Sequence, residues 1–63
     1  MNYAILIRQL REKMILSQTE FAEFLGVSNV TVSRWETGKS FPTIKLKRKL
    51  NDLFLKYDIR GRQ

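Results

Sequence analysis

The chain has 63 residues, with twelve Lys/Arg against six Asp/Glu for a formal net charge of +6, and it contains neither cysteine nor histidine. A chain of that length makes one domain at most and buries only roughly 60% of the surface it exposes when unfolded, which leaves little room for both a core and a deep substrate pocket. Without Cys or His there is no disulfide, no zinc finger and no histidine general base, so most hydrolytic chemistry is excluded, while the positive charge favours a polyanionic partner or serves solubility alone.

The first segment, Tyr3 to Met14, carries Tyr3, Ile7, Leu10 and Met14 at helical spacing, with Asn2 as N-cap. Arg8, Arg11, Glu12 and Lys13 supply its polar side. Ile5 and Leu6 fall off the main stripe, and Leu6 packs at its edge if it packs at all.

Ser17-Gln18-Thr19-Glu20 reads as a capping box that opens a second helix. Leu16 before the cap and Phe21 after it have the spacing of a hydrophobic staple. Phe21, Ala22 and Leu25 form the apolar face, and Gly26 ends the helix in the left-handed conformation. Ser28 then caps a third helix, Asn29 to about Glu36, in which Val32 and Trp35 share a face and Val30 lies away from them; Gly38 terminates it.

Lys39 to Pro42 is a loop, and Thr43 caps a fourth helix running to about Tyr57. Leu46, Leu50, Leu53, Phe54 and Tyr57 follow one buried stripe. The expected organisation is a domain over residues 1–58 and a short polar tail over 59–63 that frays. Seven of the basic residues follow Pro42: Lys45, Lys47, Arg48, Lys49, Lys56, Arg60 and Arg62. No strand pattern, repeat or low-complexity segment occurs. The longest apolar run, Ala4 to Ile7, is far short of the roughly 20 residues of a membrane span. The N-terminus does not read as a signal peptide, so the cytoplasm is the expected location.

Four features of the central stretch belong together. Ala22 is small where two helices would cross closely, Gly26 permits the sharp turn, Val27 plugs it, and Val32 anchors the next helix. Each alone is a weak signal, and the combination is a specific one. With Arg11, Ser17-Gln18, Phe21-Ala22, Leu25-Gly26-Val27-Ser28, Val32-Ser33-Arg34-Trp35-Glu36, Gly38 and Pro42, the chain resembles the phage Cro/repressor family of helix-turn-helix proteins, the xenobiotic-response-element type. The resemblance implies an all-α, compact, four-helix lambda-repressor-like domain with a central helix-turn-helix, acting as a sequence-specific regulator of transcription, a repressor, of bacterial, phage or mobile-element type.

Residue by residue, the resemblance implies the following. Asn29, Val30, Thr31, Ser33 and Arg34 match exposed recognition-helix positions that read base edges in the major groove. Gln18 matches a glutamine that contacts a phosphate and can brace the first residue of the recognition helix; Ser28, Lys39, Ser40 and Thr43 join it as phosphate contacts, although Thr43 serves equally well as a cap alone. Arg11 and Glu36 match a structural ion pair. The expected partner is double-stranded DNA, bound by a weak homodimer at a near-palindromic site. Many relatives carry a fifth helix, for which this chain leaves no room, so the dimer surface is open. Ile44, Leu55 and Ile59 make one small candidate patch, or are scattered exposed aliphatics. Phe24, at a position usually exposed, is expected to lie under the C-terminal segment.

Rival readings have specific requirements. A protein-interaction module, an antitoxin or adaptor, would share this fold but bind no DNA at low salt. An enzyme would need more than Glu20 and Glu23, which a cap and a solvated face explain. A monomeric RNA binder would want exposed aromatics for base stacking, whereas Tyr3, Phe21, Trp35, Phe54 and Tyr57 fall on core stripes. No metal, cofactor or small-molecule ligand is expected.

Overall fold

A computed structural model of the protein describes residues 2–59. Four helices follow one another: α1 (Tyr3–Lys13), α2 (Gln18–Leu25), α3 (Asn29–Glu36) and α4 (Ile44–Lys56), with no strand among the described residues. Each begins at a short polar side chain that accepts from an amide three residues on. Asn2 serves α1, Ser17 α2, Ser28 α3 and Thr43 α4. At Ser17 the box is complete. Its Oγ accepts from the Glu20 amide at 3.1 Å, and its own amide donates to the Glu20 carboxylate at 2.9 Å. These hydrogen bonds pull the Glu20 carboxyl below the ordinary carboxylate value.

All four helices end in the same way, through a residue at positive φ whose successor's amide reaches back five residues. Gly26 (φ 79) and Gly38 (φ 77) do this for α2 and α3. The Val27 amide then donates to the Ala22 carbonyl, and the Lys39 amide to that of Arg34, both at 2.9 Å. Ile15 (φ 58) and Asp58 (φ 56) do the same for α1 and α4 although they carry a Cβ. Only the glycines make that conformation inexpensive.

The core consists of Leu6, Ile7 and Leu10 of α1, Phe21, Ala22 and Leu25 of α2, Val32 and Trp35 of α3, and Leu50 and Phe54 of α4. Tyr3, Met14, Leu16, Val27, Leu46, Leu53 and Tyr57 pack around it. Leu6 is fully inside rather than at an edge, because α1 packs against both α3 and α4 and needs a face wider than one stripe. Two cations tie α4 to the rest. The Lys47 ammonium lies 5.4 Å from the Tyr3 ring centroid, and that of Lys49 6.0 Å from Phe24. Phe24 is therefore partly covered by α4; the residues after Ile59 that were expected to cover it lie outside the described part.

Ile59 does not behave as tail. Its amide donates to the Phe54 carbonyl at 2.8 Å and its side chain packs on the core. Ile59 thus packs with the helices, and the expected fraying of Arg60 to Gln63 concerns residues outside the described range.

Candidate nucleic-acid interface

α2 and α3 meet across the Gly26–Val27 turn, with Ala22 at the contact and Val27 half-buried beneath the bend. Val32 and Trp35 pin α3 from inside. What remains outside is a strip of different chemistry. Asn29, Val30 and Arg34 are exposed, and Thr31 and Ser33 are half-buried beside them. Val30, Ser33, Arg34, Thr37 and Lys39 line a shallow groove of ≈ 510 Å³. An α-helix with its side chains is about 10–12 Å across, which fits a B-DNA major groove about 12 Å wide.

The hydrogen bonds sort this strip further. The Ser28 Oγ accepts from the Thr31 amide at 3.2 Å and shares a hydrogen bond of 2.8 Å with the Thr31 Oγ1, so the Thr31 hydroxyl is turned to the helix start. The side chains of Asn29, Ser33 and Arg34 have no partner among the described residues.

The backbone supplies donors at helix starts. Ser17 satisfies the Glu20 and Phe21 amides and leaves those of Gln18 and Thr19 without a partner among the described residues. Ser28 likewise leaves those of Asn29 and Val30. Such amides, at the positive end of a helix dipole, suit a phosphate. The loop after α3 is different. The Lys39 and Ser40 amides both donate to the Arg34 carbonyl, at 2.9 and 3.4 Å, so only their side chains are left for an anion. Thr43 is occupied as a cap, accepting from the Leu46 amide at 3.4 Å.

Gln18 has an unexpected neighbour. Its Nε2 donates to the Glu36 Oε1 at 3.1 Å, at the far end of α3 from Asn29. The Glu36 carboxylate also takes the Arg11 Nε at 2.6 Å and Nη2 at 3.0 Å, and the Arg11 Nη1 donates to the Leu16 carbonyl at 3.1 Å. One ion pair therefore joins α1, the α1–α2 turn, the start of α2 and the end of α3. The hydrogen bond to Glu36 raises the Arg11 pKa against the opposing effect of burial, so this guanidinium is always charged.

The family model for the helix-turn-helix matches residues 7–54, which runs from the first buried turn of α1 to the last core residue of α4. The chain belongs to the helix-turn-helix family. It is similar at 44% identity over 48 residues to a candidate HTH-type transcriptional regulatory protein of Pyrococcus furiosus, covering 76% of this chain and 15% of that protein. It is 42% identical over 45 residues to the type II methyltransferase M.SsoII of Shigella sonnei (67% and 12%). The HTH-type transcriptional activator BcrR of Enterococcus faecalis is 35% identical over 48 residues (76% and 24%). The chain thus spans a quarter or less of the length of these relatives. No solved structure matches it at a significant level.

On this helix-turn-helix domain, exposed apolar side chains occur on α1 (Ile5), in the turn after it (Ile15), on α2 (Phe24), and on and beside α4. Ile44 and Leu55 are 69% and 82% exposed, whereas Ile59 is half-buried against the core and leaves that patch. Phe41, 68% exposed in the loop between α3 and α4, escaped sequence reasoning because it sits on no periodic stripe. Its one legible signal is position: an aromatic two residues past a lysine that follows the end of α3. Among the described residues no helix is long and apolar enough to cross a membrane, and no cluster of acidic, His or Cys side chains is placed to hold a metal.

Proposed function

We propose that the chain is the DNA-binding, non-enzymatic part of a transcriptional regulator acting as a repressor. α3 enters the major groove and presents Asn29, Val30, Ser33 and Arg34, with the apolar part of Thr31, to base edges. The amides at the start of α2 and the side chains of Gln18, Ser28, Lys39, Ser40 and Thr43 face the phosphates on either side. The observation that carries this reading is the division of α3: Val32 and Trp35 are spent on the core, and the opposite face keeps unpaired donors and acceptors with one exposed valine. Two copies, meeting through Ile44 and Leu55, would address a near-palindrome about 34 Å from centre to centre.

Titration with mixed-sequence duplex at low salt, followed by a salt series, tests the reading. Binding whose log Kd rises linearly with log salt is expected. Absence of binding at low salt would eliminate it and favour a protein-interaction module, which the exposed Ile44, Leu55 and Phe41 would then serve.

A further inference from the structure

The reading face has an uneven chemistry that narrows what it can recognise. Val30 is 57% exposed, high for a β-branched aliphatic that has an entire core nearby. It cannot turn inward, because α3 reserves its inner face for Val32 and Trp35. Its neighbour Thr31 has its hydroxyl engaged by Ser28 at 2.8 Å, which leaves a methyl group as its uncommitted part. One turn further on, Arg34 shares the groove wall with Val30, and Ser33 lies between them. The start of α3 therefore offers hydrocarbon, and its next turn offers a fork of unpaired donors.

In the major groove, hydrocarbon is complementary to a single feature of the bases, the 5-methyl group of a pyrimidine. A polar base edge against Val30 would be desolvated without a partner, which costs free energy. We propose, building on the DNA-binding reading, that Val30 reads the 5-methyl group of a thymine or a 5-methylcytosine. Arg34 reads a guanine near it. Four residues of helix rise about 6 Å, and base pairs stack about 3.4 Å apart, so the two contacts fall one or two base pairs from each other. The domain thereby distinguishes cytosine from 5-methylcytosine as well as thymine from uracil, since in both pairs only the methyl group changes.

The test uses the full chain and a duplex obtained by selection from a random pool. Each thymine of the selected site is replaced in turn by deoxyuridine, which keeps every hydrogen bond and removes one methyl group. At one position, within two base pairs of a guanine, binding weakens about fourfold, the worth of one buried methyl group. At that same position cytosine binds about fourfold more weakly than 5-methylcytosine. Val30→Ala, on an exposed helix face, folds as the parent does, binds the thymine site about fourfold more weakly, and loses both preferences. Equal affinity for every thymine/deoxyuridine pair, or a preference that survives in Val30→Ala, overturns the methyl-reading assignment and leaves DNA binding standing. A pool that yields no bound duplex at low salt overturns the DNA-binding reading, and the inference with it.

Discussion

The ion pair between Arg11 and Glu36 should be the most sensitive polar contact in the domain, and its strength can be worked out before it is measured. Their side chains are 15% and 6% exposed, so both charges are largely shielded from water within a part-buried pair. Removing one partner of such a pair costs about 3–5 kcal/mol, because the other charge stays buried without compensation. The low end applies to Arg11→Met, about 3 kcal/mol, since Gln18 still donates to the stranded carboxylate. Glu36→Gln keeps one acceptor and the shape, and leaves the Arg11 Nη1 on the Leu16 carbonyl; about 2 kcal/mol is expected. A chain of this length has roughly 3–9 kcal/mol of total stability, so either change removes a large share of it.

The double variant decides the cause. With both charges gone nothing charged is stranded, and Arg11→Met/Glu36→Gln should be no worse than Arg11→Met alone, a coupling of about 2 kcal/mol. Urea unfolding followed by far-UV circular dichroism reads this as a midpoint shift of about 2–3 M per single change, with slopes near 1 kcal/mol/M. Trimethylamine oxide extends the folded baseline for variants already unfolded in buffer. The exposed i,i+4 pair Arg8–Glu12, at 3.5 Å, is the control: its coupling should lie below about 0.5 kcal/mol and vanish in salt. Losses that simply add in the double variant, to about 5 kcal/mol, would refute the account of Arg11 and Glu36 as a mutually dependent buried pair.

Other outcomes follow from the same structure. Ile15 carries positive φ and is 87% exposed, so Ile15→Gly relieves backbone strain and loses no packing; a gain of about 0.5–1 kcal/mol, or a few degrees in Tm, is expected, and a lower Tm would contradict it. Gly38→Ala should go the other way by about 1 kcal/mol, although nothing lies within 4 Å of the added Cβ, because the cost is conformational alone; a neutral result in thermal unfolding would show that the φ of +77 is not required. The Glu20 carboxyl is held below its ordinary 4.5 by hydrogen bonds made only in the folded state. The capping box therefore contributes above that value and is lost as pH falls through the depressed one, a dependence that urea midpoints from pH 6 to pH 2 should show and that Glu20→Gln should flatten. In DNA titrations Arg34→Ala should weaken the selected site by about 1–3 kcal/mol and relax preference at one base pair, whereas Lys39→Ala should weaken all sequences alike and reduce the salt slope by about 1. The reverse pattern would mean that base reading and phosphate contact are exchanged.

What could be read in the sequence was local. Each helix start depends on a side chain and an amide three residues apart, so Asn2, Ser17, Ser28 and Thr43 announce themselves, and Gly26 and Gly38 mark stops for the same reason. Arg11 with Glu36 was legible through family resemblance alone, because 25 residues separate them. The illegible parts are tertiary. Ile15 is among the residue types least suited to positive φ, and no local rule would put it there; α1 must stop so that Met14 and Leu16 reach the core, and the backbone strain is accepted. Leu6 needed knowledge that α1 faces two helices, and Ile59 that the chain folds back after Phe54. In the candidate site, the exposure of Val30 followed from periodicity. The engagement of Gln18 by Glu36 and of the Thr31 hydroxyl by Ser28 depended on rotamers that no spacing encodes.

The end of α3 shows why reading and support belong to one unit. The Arg34 carbonyl accepts from the Lys39 amide, the Ser40 amide and the Thr37 hydroxyl, so the loop is indexed to the residue that the proposed function sends to a base. Two residues along, Glu36 is held by Arg11 and by Gln18, whose helix start offers amides to a phosphate. The proposed base contact and its proposed flanking phosphate contacts are thus separated by short rigid paths through a carbonyl and a carboxylate rather than by flexible chain. Such an arrangement loses little conformational entropy on binding, and small side chains on a domain this size can then discriminate bases by one or two hydrogen bonds and a methyl contact. It also means that weakening Glu36 should loosen the α2 amides relative to α3, so stability and recognition fail together along this path, while substitution of the exposed Val30 and Arg34 side chains should change recognition alone.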